Sequence, residues 1–538
     1  MEIPSYLLCP YSPKCLSEAL SSFGLLTPES PLYTTSKDSC TQKRVSFYHE
    51  YLTSPTVDVK WIVEEFGYTD GDFIEDYVWF YARCFRHYER KCKRVHFFGP
   101  LVSESGEPLS FDDEAFTEII VGSASEELVK SFKKAYRGFL IVRPLPKALV
   151  GRTLLRPYGS SADENLDRKY LTTTRHLVNL FGIDLEVESL PFQEQDSVVS
   201  ACATVALWSC LRQAARIFEV TAPKPAQITL MNSTFRRGRS IPSTGLELEE
   251  VCSVIRDSGL EPEVFDLNDP EGSKRWLSII YAYLHAKIPV FLGVECIENG
   301  TGVAMHALAV SGFTTRKDEK PFFLKEHVNQ KVPELKLKGL RMTELYVHDD
   351  DLGPFSRLFV AAPRTRFQKD VRLQASDPYV GRTKIPSSYY VPRTLVVPVY
   401  AKIRVSFIDV EGWVSSLDDL LRETVQFDGI AEWDIVLTSV HNLKRNYKSR
   451  LTGEKEKLDR MLRQMPRFLW HVRLLVNESD LLEFTIDATD SAQGAEVYDC
   501  IFHNDELKAA MNVIIPLSLS QSENLPSIFR SLAKFSSI

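Results

Sequence analysis

Residues 201–218 read ACATVALWSCLRQAARIF, and this stretch decides the fold of the middle of the chain. Its apolar and small residues recur at the spacing of one helical face. That face consists of Ala203, Ala206, Leu207, Cys210, Leu211, Ala214 and Phe218. The stretch therefore predicts a helix that is buried along one side.

Cys202 precedes the buried face, in the first turn of the predicted helix. The first turn of a helix has N–H groups without intrahelical partners and a partial positive charge, and both stabilise a thiolate. Cys202 is therefore a candidate nucleophile, and a backbone N–H of this turn is a candidate oxyanion donor. Cys210 lies within the buried face, where we predict a packing role.

Two apolar runs downstream supply a candidate base and a candidate acid. HALAVSGF opens with His306, and LYVHDDD ends in Asp349, Asp350 and Asp351. A thiol nucleophile works with an imidazole base that a third group holds in one tautomer. Two adjacent strands would bring His306 and Asp349 side by side. We predict Asp349 as the orienting group, Asp350 as the alternative, and Asp351 as a turn residue.

The order of the elements indicates the fold class of this part of the chain. Helical patterns over 201–218, 243–259 and 274–286 come first, and the apolar runs IPVFLGVECI, HALAVSGF and LYVHD follow as strands. Helices followed by antiparallel strands are typical of an α+β domain.

The chain of 538 residues is too long for one hydrophobic core. Changes in composition predict an N-terminal α+β region over residues 1–185, a central domain over 186–365, a linker over 366–392 and a C-terminal α/β domain over 393–538.

A possible zinc set occurs in the N-terminal region, where residues 57–92 show helical spacing. It comprises Cys84, His87, Cys92 and His96. The segment is crowded with Arg and Lys and has no glycine to bend it around an ion, so we interpret it as a basic helix face. No phosphate-binding glycine loop or dinucleotide motif occurs, and we expect a reaction without metal or cofactor.

The composition restricts the partners and the location. The formal charge is −8, with 44% hydrophobic and 25% charged residues, which disfavours nucleic acid and anionic membranes as partners. No apolar run is long enough to cross a bilayer, and the N-terminus lacks the pattern of a signal peptide. We expect a cytoplasmic protein, and the ten scattered cysteines are expected to be reduced thiols.

The order of these motifs resembles papain-like cysteine peptidases. It comprises a glutamine, a cysteine at a helix start, the Gly245–Glu250 segment, a PVFLGVE strand, a histidine opening a strand and an aspartate ending the next. The similarity covers residues 186–365 at most and is closest to the bacterial branch that includes the leader-cleaving domains of peptide-exporting transporters.

The resemblance implies a catalytic set of Cys202, His306 and Asp349, with Gln195 as the side-chain donor to the oxyanion. Gln195 lies seven positions before Cys202, one more than the family usually has, and Gln193 is the alternative. Ala203 replaces the usual glycine after the cysteine. A charged insertion over 314–339 separates His306 from Asp349, where the family commonly has a short turn.

The implied function is that of a thiol-dependent hydrolase that cleaves a peptide or isopeptide bond in a protein substrate. The same residues would also serve a deamidase or an acyl transferase, and a non-catalytic scaffold of the same fold is the other alternative. The flanking domains are expected to select the protein substrate or to bind a protein partner.

Overall fold

The computed structural model describes residues 5–21, 39–145, 149–196, 198–199, 201–231, 243, 245–268, 272–317, 335–361, 372–375, 388–427, 429–491, 496–521 and 527–536. Within them the chain combines helices with several antiparallel sheets, which confirms the predicted α+β class. None of the described helices is long and apolar enough to cross a membrane.

The N-terminal part is built on a five-stranded antiparallel sheet whose strands follow chain order. The strands are β1 (Tyr6–Pro10), β2 (Trp61–Tyr68), β3 (Cys92–Phe98), β4 (Tyr136–Val142) and β5 (Val150–Leu155). The accompanying helices are α1 (Pro13–Ala19), α2 (Ser39–Thr53), α3 (Gly71–Trp79), α4 (Asp113–Val121) and α5 (Glu126–Ala135). Successive residues of one strand, such as Phe97 and Phe98, enter separate apolar cores, so both faces of the sheet are covered.

The helical spacing predicted for residues 57–92 holds only for α3. Asp70 caps this helix by accepting hydrogen bonds from the N–H groups of Asp72 and Phe73. The segment before it is strand β2, because Ile62 and Val63 are fully buried on opposite faces of the sheet. Residues 84–91 form no helix, so the predicted basic helix face is wrong.

The cysteines of the first two elements are paired. Cys9 and Cys15 lie at the turn from β1 to α1, with Cα atoms 6.9 Å apart, and form a disulfide. The expectation of reduced thiols is therefore wrong for this pair, because the turn brings the two side chains together. The free cysteines of the described residues include Cys202, Cys210 and Cys296.

Three short strands connect the N-terminal sheet to the centre of the molecule. They are β6 (Leu166–Lys169), β7 (Thr174–Leu180) and β8 (Ile183–Ser189). β7 and β8 form a separate two-stranded hairpin. β8 shows strict alternation of buried and exposed residues, as expected for a strand with one solvated face.

The central sheet contains β6 and seven further strands and closes on itself. The seven are β9 (Glu261–Asp266), β10 (Val290–Glu298), β11 (Thr301–Arg316), β12 (Met342–Asp349), β13 (Gly353–Ala361), β14 (Arg372–Gln374) and β15 (Ser388–Val399). Each strand from β10 to β15 pairs with the next, and β15 returns to pair with β10. The result is a small antiparallel ring of strands, in which edge strands are largely removed.

Helix α6 packs against this ring. The helices of the central part are α6 (Cys202–Phe218), α7 (Pro225–Met231), α8 (Leu248–Asp257) and α9 (Gly272–His285). The predicted apolar face of α6 is buried, and Trp208, which lies outside it, is fully buried as well. One apolar core joins α6, α8 and α9 to the inner side chains of the ring.

The C-terminal part is a four-stranded antiparallel sheet with helices. Its strands are β16 (Ala431–Ser439), β17 (Phe468–Val476), β18 (Ser479–Asp487) and β19 (Val497–Phe502). Its helices are α10 (Phe407–Thr424), α11 (Val440–Arg450), α12 (Glu454–Leu462), α13 (Asp505–Gln521) and α14 (Ser527–Ser536). The ring of Trp470 contacts Tyr283 of α9, with centroids 5.6 Å apart, so this sheet shares a core with the central part.

The described part of the predicted linker contains strand structure. Residues 372–375 include β14, and residues 388–392 belong to β15, which continues past the boundary predicted at 393. The β-branched run of β15 is buried between β9 and β10, which explains why it joins the central sheet. The rest of the linker, and residues 318–334 of the predicted insertion, lie outside the described residues.

Candidate active site

Cys202 is the first residue of α6, as the sequence predicts. The preceding residue, Ala201, is the N-cap and provides no side-chain acceptor. The first-turn N–H groups are thus not neutralised by a capping side chain, and the positive end of the helix acts directly on the thiol. The Cys202 side chain is half-buried against the apolar core.

His306 lies on β11 at the point where this strand passes from solvent into the core. Residues 301–305 are exposed, whereas residues 306–313 are buried. β11 pairs with β10 through Val294 and His306, and its pairing with β12 begins only at Ala309. The imidazole therefore lies beside an open stretch of strand while its own exposure is only 8%.

Asp349 ends β12 and holds the imidazole. Its Oδ1 accepts hydrogen bonds from His306 Nε2 at 3.1 Å and from the backbone N–H of Asp351 at 3.0 Å. Its Oδ2 accepts a hydrogen bond from the Tyr390 hydroxyl at 3.0 Å. The side chain is fully buried, so three donors fix its orientation.

The tight turn after Asp349 depends on a glycine. Asp349 pairs with Gly353 across the turn between β12 and β13. Gly353 has φ +147°, and a Cβ atom there would collide with the ring of Phe47. A larger residue would shift the strand end that carries Asp349.

Asp350 contacts the same imidazole but lacks the support that Asp349 has. Its Oδ1 lies 3.7 Å from His306 Nε2, and its side chain is 1% exposed. Neither carboxylate oxygen has a hydrogen-bond partner. Burial, together with the charges of Asp349 and Asp351, raises the pKa of Asp350 to about 7, against the opposing effect of His306.

His306 is held in its charged form by its surroundings. Burial alone would lower the pKa of His306, but hydrogen bonds with Asp349 and Cys202 and the charges of the two aspartates raise it to about 12. Because Asp349 occupies Nε2, Nδ1 is the ring nitrogen that is left to interact with the thiol. The structure therefore brings together Cys202, His306 and Asp349, in the order thiol, imidazole and carboxylate.

Two further side chains near His306 were missed by the sequence analysis. Tyr390 of β15 donates to Asp349, and its ring centroid lies 5.9 Å from that of His306. Cys296 of β10 pairs with Tyr390 of β15. Burial is the main cause that raises the pKa of Cys296; His306 opposes this rise, and Asp349, Asp351 and Cys202 add to it. The alternating apolar run VECI was a signal for Cys296, whereas Tyr390 lay in the predicted linker.

The two candidate glutamines differ in burial. Gln195 is half-exposed, whereas Gln193 is 3% exposed and its side-chain nitrogen has no hydrogen-bond partner. A buried donor without an acceptor is costly unless a ligand completes it. The side-chain nitrogen of Gln193 is therefore free to donate a hydrogen bond to a substrate oxyanion. Gln195 stays the prediction from the sequence pattern.

The possible zinc set of the N-terminal region is not gathered into one site. His87 is largely exposed and pairs with Glu89, whereas His96 is fully buried and hydrogen-bonds to Tyr136. Cys92 is buried on β3. Within the described residues these groups do not form a cluster of metal ligands.

No protein-family model matches the chain, and no curated protein is significantly similar to it.

Proposed function

We propose that the protein is a thiol-dependent hydrolase that cleaves a peptide or isopeptide bond in a protein substrate. The observation that carries the proposal is the placement of three side chains: Cys202 begins α6, and the buried His306 bonds through Nε2 to Asp349 Oδ1 at 3.1 Å. The contribution of Cys202 to the raised pKa of His306 supports the same order. A buried imidazole between a thiol and a fixed carboxylate is the arrangement that activates a cysteine nucleophile.

The surrounding fold supports a papain-like domain. Cys202 begins a buried helix that packs against a closed antiparallel sheet, and His306 and Asp349 lie on the neighbouring strands β11 and β12. This arrangement resembles papain-like peptidases, in which the thiol comes from a helix and the histidine from a sheet. The leader-cleaving bacterial branch remains the nearest resemblance.

The reaction begins when the Cys202 thiolate attacks the carbonyl carbon of the substrate. A backbone N–H at the start of α6 and the side-chain amide of Gln195 or Gln193 stabilise the resulting oxyanion. The intermediate collapses to a thioester as His306 donates its proton to the departing amine. His306 then accepts a proton from water, which hydrolyses the thioester and restores the thiol.

Asp349 contributes to both steps without taking the proton. Its three hydrogen bonds fix the carboxylate, which in turn fixes the ring orientation of His306 and stabilises the imidazolium.

The exposed strand beside His306 favours an extended peptide as substrate. In the described part of the chain, residues 301–308 pair with β10 alone, so their other edge is open. Val303 and Met305 on this segment are 55% and 63% exposed. An open strand edge can pair with the main chain of a peptide, and exposed apolar residues can contact its side chains.

The thiol assignment is tested by alkylation with iodoacetamide and peptide mapping by mass spectrometry. We expect Cys202 to react fastest among the free thiols, and Cys202→Ala to remove this fast phase. Cys296→Ala is the matched control, because it removes a second half-buried thiol near His306 and should leave the fast phase intact. A fast phase that persists in Cys202→Ala would refute the assignment.

The reaction type is read from the products. Candidate protein substrates are incubated with the wild-type enzyme and with Cys202→Ala, and the products are weighed. Two fragments whose masses sum to the substrate plus one water indicate hydrolysis. Loss of ammonia without cleavage would indicate a deamidase, and addition of an acceptor to one fragment a transferase.

A further inference from the structure

Three potential metal ligands converge on one side of the His306 ring. Among the residues that the structure describes, His306, Asp349 and Asp350 are the one such group of three, with ligand atoms within 4.8 Å of one another. An imidazole nitrogen and two carboxylate oxygens are ligands that Zn²⁺ and related divalent ions accept.

Asp350 is the residue that points to a ligand. A carboxylate that is 1% exposed is normally satisfied by several donors, as Asp349 is. Both oxygens of Asp350 instead lack a hydrogen-bond partner, and Oδ1 faces His306 Nε2 at 3.7 Å. One buried carboxylate of the site therefore accepts no hydrogen bond, and it lies where it could bind a cation together with His306 and Asp349.

The separations between the ligand atoms suit one ion. His306 Nε2 lies 3.1 Å from Asp349 Oδ1 and 3.7 Å from Asp350 Oδ1. Ligands held at about 2.0 to 2.2 Å around a tetrahedral Zn²⁺ lie about 3.3 to 3.6 Å from one another. The two distances from Nε2 depart from this range by at most about 0.2 Å, and the ligand atoms of the two aspartates lie within 4.8 Å of each other.

We propose that His306, Asp349 and Asp350 form a binding site for one divalent transition-metal cation of the zinc class, which inhibits the thiol site. The cation replaces the proton on His306 Nε2, and this proton passes to solvent. The two carboxylates then neutralise the double charge of the ion, and a solvent molecule completes four-fold coordination.

The inhibition follows from the tautomer that the metal imposes. With the cation on Nε2, the neutral ring carries its proton on Nδ1, the nitrogen that faces Cys202. It cannot accept the thiol proton, and it no longer provides the positive charge that stabilises the thiolate. This consequence rests on the proposed function, whereas binding of the ion rests only on the three ligands.

The binding experiment uses the full chain and Co²⁺, whose absorption spectrum reports its ligands. We expect one Co²⁺ per chain, with d–d bands and without the strong near-ultraviolet band of cobalt–thiolate bonds. Asp350→Asn should weaken binding at least about 100-fold, since loss of a mere supporting group costs about 10- to 100-fold. Asp351→Asn is the matched control: it removes an exposed carboxylate of the same turn and should bind normally.

Cys202→Ala should also bind Co²⁺ with wild-type affinity, which separates this site from one that uses the thiol. Should Asp350→Asn fail to fold by circular dichroism, His306→Gln takes its place, with the same expected loss. Three results would each overturn the metal site. The first is equal binding by wild type and by Asp350→Asn or its substitute. The others are a thiolate band that disappears in Cys202→Ala, and no binding at millimolar Co²⁺.

The inhibitory effect is measured separately, as the rate of alkylation of Cys202 with and without saturating Zn²⁺. We expect slowing of at least about ten-fold, because the metal removes the imidazolium that favours the thiolate. Bound metal with an unchanged alkylation rate would leave the metal site standing and would contradict the coupling of Cys202 to His306 on which the proposed function depends.

Discussion

Buried histidine–carboxylate pairs lie in more than one sheet of the described part of the chain, and two of them have different surroundings. In the central sheet His306 bonds to Asp349, with Nε2 and Oδ1 3.1 Å apart. In the C-terminal sheet His471 bonds to Glu483, with Nε2 and Oε2 2.9 Å apart. Distance and burial alone do not distinguish the two pairs.

Their partners do distinguish them. Glu483 also accepts hydrogen bonds from His503 and Arg450, so each of its oxygens has at least one donor. The central pair instead ends in a thiol on one side and in an unsatisfied carboxylate, Asp350, on the other. A site where a substrate or an ion binds is therefore marked by groups around the pair that lack hydrogen-bond partners, rather than by the pair itself.

The largest expected effect is on stability, and it concerns the pair of His471 and Glu483. Glu483→Gln should lower the free energy of unfolding by about 3 to 5 kcal/mol, because it removes the buried negative charge beside Arg450 and replaces one acceptor oxygen by an NH2 group that faces hydrogen-bond donors. Asp350→Asn is the matched control and should leave this free energy within about 1 kcal/mol of wild type or raise it, since neither oxygen of the buried Asp350 carboxylate accepts a hydrogen bond that the change would break. Urea unfolding followed by circular dichroism measures both. Equal losses would contradict the distinction.

The stability supplied by Glu483 should depend on pH. Burial alone would raise the pKa of Glu483, but hydrogen bonds with His471 and His503 and the charges of His471 and Arg450 lower it well below its ordinary value. A depressed carboxylate pKa stabilises the fold above the unfolded pKa, near 4.3, and this stability is lost as pH falls further. The difference between wild type and Glu483→Gln should therefore shrink from pH 5 towards pH 3, by at most about 1.4 kcal/mol per pH unit. A constant difference would contradict the assignment.

The alkylation rate of Cys202 should depend on His306 and not on His471, whereas stability should depend more on the pair of His471 and Glu483. His306→Gln should slow the alkylation of Cys202 about 100-fold near pH 6, where an ordinary thiol is almost entirely protonated. His471→Gln should leave this rate unchanged, because His471 contacts Glu483 in the other sheet. Equal rates for the two variants would mean that His306 does not stabilise the thiolate.

The local parts of this site were predictable from the sequence. The helix of residues 201–218 was visible because its buried face repeats at helical spacing, and Cys202 lies in the first turn of α6 as predicted. The strands of His306 and Asp349 were visible as short apolar runs, and they pair in the predicted order.

The parts that were missed depend on contacts between distant segments. Tyr390 reaches Asp349 only because β15 returns to pair with β10 and closes the sheet. No local pattern specifies such a pairing, and the polar residues before β15 were interpreted as a linker. The lack of hydrogen bonds to Asp350 likewise depends on packing. The sequence shows three consecutive aspartates and does not distinguish them, whereas in the structure the side chains of Asp349 and Asp350 are buried and Asp351 is exposed.

The smallest effect is expected at Tyr390, and it tests whether the closure of the sheet contributes to the site. Burial, reinforced by the charge of Asp349 and the hydrogen bond to it, raises the pKa of Tyr390 far above its ordinary value. The hydroxyl therefore stays protonated and donates a hydrogen bond to Asp349.

Tyr390→Phe removes one of three donors that fix Asp349. We expect alkylation of Cys202 to slow about 3- to 10-fold, the equivalent of about 0.7 to 1.4 kcal/mol, because the lost hydrogen bond to Asp349 acts on Cys202 only through His306. Tyr389→Phe is the matched control on the same strand, where the ring contacts Arg372 instead. A positioning role requires that the pH profile of alkylation changes in Tyr390→Phe alone. If both variants slow the reaction equally, Tyr390 supports the strand and not the orientation of Asp349.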